Sequence, residues 1–132
     1  MTEKKKILLV DDSEVDLLST KSMLSKEYEV ITAKSGKEAL NQLINKLVPD
    51  LLLLDILMPE MDGWETFNKI KGISLLRDVP IAFVTSVTGA TEETRAFKMG
   101  VDDYIKKPYT QSELLERVKT LLEKNRNKFY LN

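Results

Sequence analysis

Short apolar runs alternate along this chain with segments of helical period, which predicts an α/β fold. The expected architecture is a five-stranded parallel sheet, order 2-1-3-4-5, with five helices on both faces. The central observation is Leu51-Leu52-Leu53-Leu54-Asp55. Four leucines in a row are too few for a helix and too apolar for a half-exposed strand, so they read as a central parallel strand buried on both faces. A second observation is the apolar spacing of Ala39, Leu40, Leu43, Ile44 and Leu47, which marks an intervening helix. A third is that a polar group follows the first, third, fourth and fifth strands, whereas the second ends without one. A second strand at the outer edge gives the stated order.

In chain order, Ile7 to Val10 forms the first strand, and Asp11-Asp12-Ser13 follows at once. Asp12 or Ser13 can cap a helix beginning near Glu14, with Val15, Leu17, Leu18 and Leu24 on its apolar side. Tyr28 to Thr32 is the second strand, supported by the β-branched run Val30-Ile31-Thr32. Ser35-Gly36-Lys37-Glu38 opens the second helix and Pro49 is expected to end it. After Asp55, Pro59 and Met61-Asp62-Gly63 redirect the chain into a helix marked by Trp64, Phe67 and Ile70 and closed near Gly72. Trp64 is expected to pack at the start of that helix. Pro80 introduces the strand Ile81 to Val84, with Thr85-Ser86 at its end. A fourth helix runs from about Thr91 to Met99 and stops at Gly100. Asp103-Tyr104-Ile105 is a short edge strand, terminated by Lys107-Pro108. Leu114, Leu115, Val118, Leu121 and Leu122 give the last helix its core face. Residues 1–124 form the domain. Residues 125–132 read as a polar tail or the start of a linker, within a polar stretch from Glu123 that holds Phe129, Tyr130 and Leu131.

Composition excludes several functions. The 132 residues suit one domain, and 42% apolar content supports a core without disulfides. With no cysteine and no histidine there is no thiolate or imidazole metal site, no Ser-His pair and no phosphohistidine within the chain. A net charge of −1, from 20 basic and 21 acidic residues, gives no electrostatic drive toward nucleic acid. Lys4-Lys5-Lys6, the one basic run, is expected to be a solvated cap before a buried strand. No apolar stretch reaches membrane-spanning length, and the N-terminus lacks a signal-peptide apolar region. The expectation is a soluble, cytoplasmic protein without direct nucleic-acid or membrane binding.

Asp11, Asp12, Asp55, Thr85 and Lys107 are thereby expected at one end of the sheet, where open α/β sheets bind ligands. Three carboxylates in one pocket repel, so either a proton or a cation must neutralise them. Oxygen ligands alone favour Mg²⁺, which keeps waters and leaves coordination positions for phosphate oxygens. A carboxylate beside such a cation and a lysine suits attack on activated phosphorus. The Lys107 ammonium and the Thr85 hydroxyl could each donate to a phosphoryl oxygen.

Val10-Asp11-Asp12, Asp55 with Met58-Pro59 and Met61-Asp62-Gly63, Val84-Thr85-Ser86, and Asp103 through Tyr109 together resemble the signature of response-regulator receiver domains, the CheY-like family of flavodoxin-like fold. The resemblance covers roughly residues 5 to 124. It implies that Asp55 accepts a phosphoryl group from a phosphohistidine on a sensor histidine kinase or histidine phosphotransfer protein. It implies Mg²⁺ ligation by the side chains of Asp12 and Asp55 and the backbone carbonyl of Leu57, with Asp11 acting through water. Lys107 would contact the phosphoryl group across a cis Lys107-Pro108 bond. Thr85 and Tyr104 would form the switch pair, reshaping a partner-binding face made by the fourth helix, fifth strand and fifth helix. Ser86 is small, as access to the phosphoryl group requires.

Leu57 and Val87, two residues beyond Asp55 and Thr85, are apolar where a polar side chain could help position water, so slow self-dephosphorylation is expected. Glu113, Arg117 and Lys119 resemble part of a charge set used for dimerisation in DNA-binding regulators. Glu93 and Lys98 carry the wrong sign for it, which leaves a monomer or weak dimer. A haloacid-dehalogenase-like phosphohydrolase would need an aspartate where Leu57 stands, so no enzymatic turnover beyond self-phosphorylation and self-dephosphorylation is expected. The remaining alternative is a receiver-like binding module that is never phosphorylated.

Overall fold

The computed structural model describes residues 3–130, with residues 125–130 described as backbone only. Its elements run β1 (Lys6–Val10), α1 (Glu14–Leu24), β2 (Glu29–Ala33), α2 (Gly36–Ile44), β3 (Leu51–Leu54), α3 (Gly63–Lys71), a 3₁₀ turn (Ser74–Leu76), β4 (Ile81–Thr85), α4 (Ala90–Met99), β5 (Asp103–Lys106) and α5 (Gln111–Tyr130). The strands are parallel in the order β2-β1-β3-β4-β5, as the strand-end pattern predicts.

Alternation along the central strands builds two cores. Leu8, Val10, Leu52, Leu54 and Phe83 face one layer, with Ala39, Leu43, Phe67, Ile70 and Ala96 from α2, α3 and α4. Ile7, Leu9, Leu51, Leu53 and Val84 face the other, with Leu17 and Leu24 of α1 and Leu114, Val118 and Leu121 of α5. All four β3 leucines have no accessible surface. A strand buried on both faces needs no polar alternation, which is why its sequence is a plain apolar run.

Several elements depart from expectation. In α1 the buried positions are Leu17, Thr20 and Leu24, while Val15 and Leu18 are 76% and 65% exposed. The inward stripe follows i, i+3, i+7 through a threonine, because the Thr20 hydroxyl is hydrogen-bonded to the Tyr109 hydroxyl. Ser13, not Asp12, caps the helix, its hydroxyl accepting from the Asp16 N–H at 3.2 Å. The strand β2 is shifted one residue, starting at Glu29 rather than Tyr28. The helix α2 ends at Ile44, well before Pro49, and Lys46 takes a left-handed φ of 74° in the turn that follows. Ile44 is exposed rather than in the core. The α5 backbone stays helical to Tyr130, through most of the stretch expected as a polar tail; Leu131 and Asn132 lie outside the described residues.

Candidate functional site

The carboxyl ends of β1, β3, β4 and β5 meet at one rim. The Asp55 N–H donates to the Val10 carbonyl (2.9 Å) and the Lys107 N–H to the Thr85 carbonyl (2.9 Å), so the ladder carries the polar residues into register just beyond the strands. Gly63 lets the following turn press against this point. A Cβ there would lie 2.4 Å from the Asp55 carbonyl oxygen, a distance no side chain tolerates.

Asp11, Asp12 and Asp55 each offer a carboxylate oxygen, and these oxygens lie within 4.8 Å of one another. Asp11 and Asp55 are buried and Asp12 is exposed. A Ser13 N–H donates to Asp11 Oδ1 at 3.0 Å. Lys107, whose peptide bond to Pro108 is cis, donates from Nζ to Asp11 Oδ2 (2.7 Å), Asp16 Oδ2 (2.8 Å) and Asp55 Oδ2 (3.3 Å). Strand-end reasoning finds four of these five residues and misses Asp16. Its signal is an acid in the first turn of the helix leaving the rim, since that turn faces the same pocket.

Burial pushes the Asp55 carboxyl above the usual aspartate range, and the Asp11 charge adds to this. The Lys107 ammonium and the Thr85 hydroxyl act in the opposite direction without cancelling it. Burial by itself would lower the Lys107 pKa, but its hydrogen bonds to Asp11 and Asp16 and the nearby charges outweigh that and raise it well above the ordinary lysine value. The ammonium is therefore held charged. An all-oxygen cluster with two buried carboxylates and one exposed suits a hard divalent cation that keeps part of its water shell.

An open cleft of about 540 Å³ lies beside the acids, lined among others by Asp12, Leu57, Met58, Trp64 and Val87. Leu57 is 56% exposed, and its N–H lies 3.4 Å from Asp55 Oδ1. Thr85 is fully buried, its Oγ1 accepting from the Val87 N–H at 3.1 Å. Tyr104 is buried behind it and its hydroxyl donates to the Val87 carbonyl at 2.8 Å. Both switch candidates thus grip the same residue of the β4–α4 loop. Trp64 and Phe83 pack in a T-shaped arrangement with centroids 5.0 Å apart, and the Arg95 guanidinium lies over the Trp64 ring at 4.0 Å.

Residues 7–119 match the family model described as response regulator receiver domain. The chain is 38% identical over 124 residues to a probable transcriptional regulator, ycf27, of Guillardia theta, covering 92% of this chain and 46% of that protein. It is equally identical (38%) over 122 residues to a probable cyclic di-GMP phosphodiesterase of Vibrio cholerae, covering 92% of this chain and 27% of that protein. The chain spans less than half the length of either relative, and their names carry different activities. Among solved structures, a CheY-like response regulator receiver domain protein from Methanospirillum hungatei superposes with a TM-score of 0.86 at 32% identity, over 96% of this chain and 99% of that one. This chain belongs to the response regulator receiver domain family.

Proposed function

We propose that this chain is a phosphoryl-accepting switch of a two-component or phosphorelay system, with Asp55 as the acceptor. The observation that carries this is Lys107 Nζ lying 3.3 Å from Asp55 Oδ2 inside a carboxylate cluster at the strand rim. The phosphoryl donor is a phosphohistidine on a sensor histidine kinase or histidine phosphotransfer protein, as membership of the receiver domain family implies; with no histidine of its own, this chain must take it from a partner. A carboxylate oxygen of Asp55 attacks phosphorus, the P–N bond breaks with its electron pair going to nitrogen, and the donor ring, already protonated on its other nitrogen, leaves as neutral imidazole. Lys107 stabilises the charge on the transferred oxygens, and the Thr85 hydroxyl turns toward one of them.

The side chains of Asp12 and Asp55 and the Leu57 carbonyl would hold Mg²⁺, with Asp11 acting through water. When bound, the ion offsets the negative charge of the pocket and of the incoming phosphoryl group. Reorientation of Thr85 releases the Val87 N–H, to which it is tied, and Tyr104 follows through the Val87 carbonyl. The affected surface is the α4–β5–α5 face, where an unidentified downstream protein binds. On this reading the protein acts in the cytoplasm as a monomer or weak dimer. It touches neither nucleic acid nor membrane directly, and it turns over nothing but its own phosphoryl group. Among the described residues no helix is long and apolar enough to cross a membrane. Residues 1–124 make up the receiver unit in this reading and 125–132 lead out of it.

Intact mass after incubation with acetyl phosphate and Mg²⁺, beside Asp55→Asn, tests the reading. One phosphoryl adduct on the parent, absent from Asp55→Asn and blocked by chelator, is the expected result. No adduct on a folded parent with any donor would turn the protein into a phosphorylation-independent binding module. The adduct should also be long-lived, because the side chains of Leu57 and Val87 offer no hydrogen bond to an attacking water. Polar replacement at either position should shorten its lifetime; rapid loss from the parent, unaffected by such replacement, would contradict this.

A further inference from the structure

The Lys107 ammonium has three N–H donors, and the structure gives each a carboxylate. The two short contacts, to Asp11 and Asp16, draw it toward the α1 side of the pocket. The long one reaches Asp55. A phosphoryl group on Asp55 adds anionic oxygens that need the same ammonium, so a donor must be surrendered elsewhere. Asp11 is poorly placed to let go, being buried and also tied to the Ser13 N–H. The Asp16 side chain is 43% exposed, and its carboxylate accepts from no other group among the described residues. Water can take over its hydrogen bond at little cost.

We propose that Asp16 is a positioning residue that holds Lys107 toward α1 in the resting protein and opposes its transfer to the phosphoryl group. The proposal rests on Asp55 being the phosphoryl acceptor. Asp16 then sets part of the bias between the resting and phosphorylated states without touching the reacting atoms. The plain alternative is that Asp16 is only a first-turn acid favoured at a helix N-terminus. Such an acid would act the same whether or not Lys107 is present.

Beryllofluoride with Mg²⁺ supplies a non-transferable stand-in for the phosphoryl group. The fluorescence of Trp64, the chain's one tryptophan and part of the cleft lining, reports its binding. Asp16→Asn should tighten beryllofluoride binding by about two- to fivefold, the range for a half-exposed ion pair, and Asp16→Glu should stay closer to the parent. Without ligand, the change in urea midpoint caused by Asp16→Asn should shrink when Lys107→Gln is already present. Unchanged or weaker beryllofluoride binding in Asp16→Asn, or equal urea shifts in both backgrounds, overturns the proposal. A folded parent that binds no beryllofluoride at all removes the acceptor reading itself, and Asp16 with it. Parent binding without an Asp16 effect removes only the latter.

Discussion

Lys106 and Lys107 are neighbours in sequence and reach opposite electrostatic settings. The Lys106 side chain is 49% exposed and meets one partly exposed partner, Glu93, at 3.3 Å. The Lys107 side chain is 16% exposed and is shared by three carboxylates, two of them nearly covered. The edge strand β5 ends at Lys106, whose side chain lies over the outer surface, and Lys107 falls just past it at the rim. Water screens the first pair, so it is worth little; the second is an ammonium enclosed by acids that repel each other without it. Adjacent residues of one type thus differ because of where the sheet ends, not because of local sequence.

The largest expected effect comes from removing the enclosed charge. Lys107→Met should lose phosphoryl-linked Trp64 fluorescence change and cost about 2 kcal/mol of stability, less than the 3–5 kcal/mol seen when a fully buried pair is broken. Urea denaturation with and without Mg²⁺ checks this, because the cation should restore part of the loss by binding the orphaned acids. An Mg²⁺-independent effect would mean that packing, not charge, dominates. A smaller effect follows from Tyr104, proposed as half of the switch pair. Tyr104→Phe deletes the hydrogen bond to the Val87 carbonyl and should cost about 1 kcal/mol while leaving adduct formation by mass spectrometry intact. Loss of the adduct would put Tyr104 in the acceptor pocket rather than behind it. The smallest belongs to the exposed neighbour. Lys106→Ala should change stability by less than about 0.5 kcal/mol and leave phosphoryl uptake unaltered. A Lys106 effect comparable to that of Lys107 would dissolve the contrast between the two.

The same contrast separates what was legible in the chain from what was not. Asp11, Asp12, Asp55, Thr85 and Lys107 could be gathered from sequence because each stands within two residues of the end of an apolar run, and parallel strands place such residues on one rim. Asp16 escaped because it sits inside a helix, where an acid is also an ordinary first-turn residue. The face of α1 was misjudged for a related reason. Val15 and Leu18 are better hydrophobes than Thr20, yet Thr20 turns inward because Tyr109 satisfies its hydroxyl. No local period encodes a partner 89 residues away. Similarly, Arg117 and Glu93, considered for contacts between copies, are engaged within this chain by Asp103 and Lys106.

By itself the sequence determined the strand count, the strand order and the rim on which the acids and Lys107 gather. Apolar runs, their period and the residue at each end are local properties, and the right-handed crossover leaves few ways to assemble them. Only the tertiary structure decided which face of α1 is buried, which of two adjacent lysines is enclosed, and that a helical aspartate shares it. Those outcomes depend on distances between side chains remote in sequence, where burial and hydrogen-bond partners, rather than propensity, fix the result.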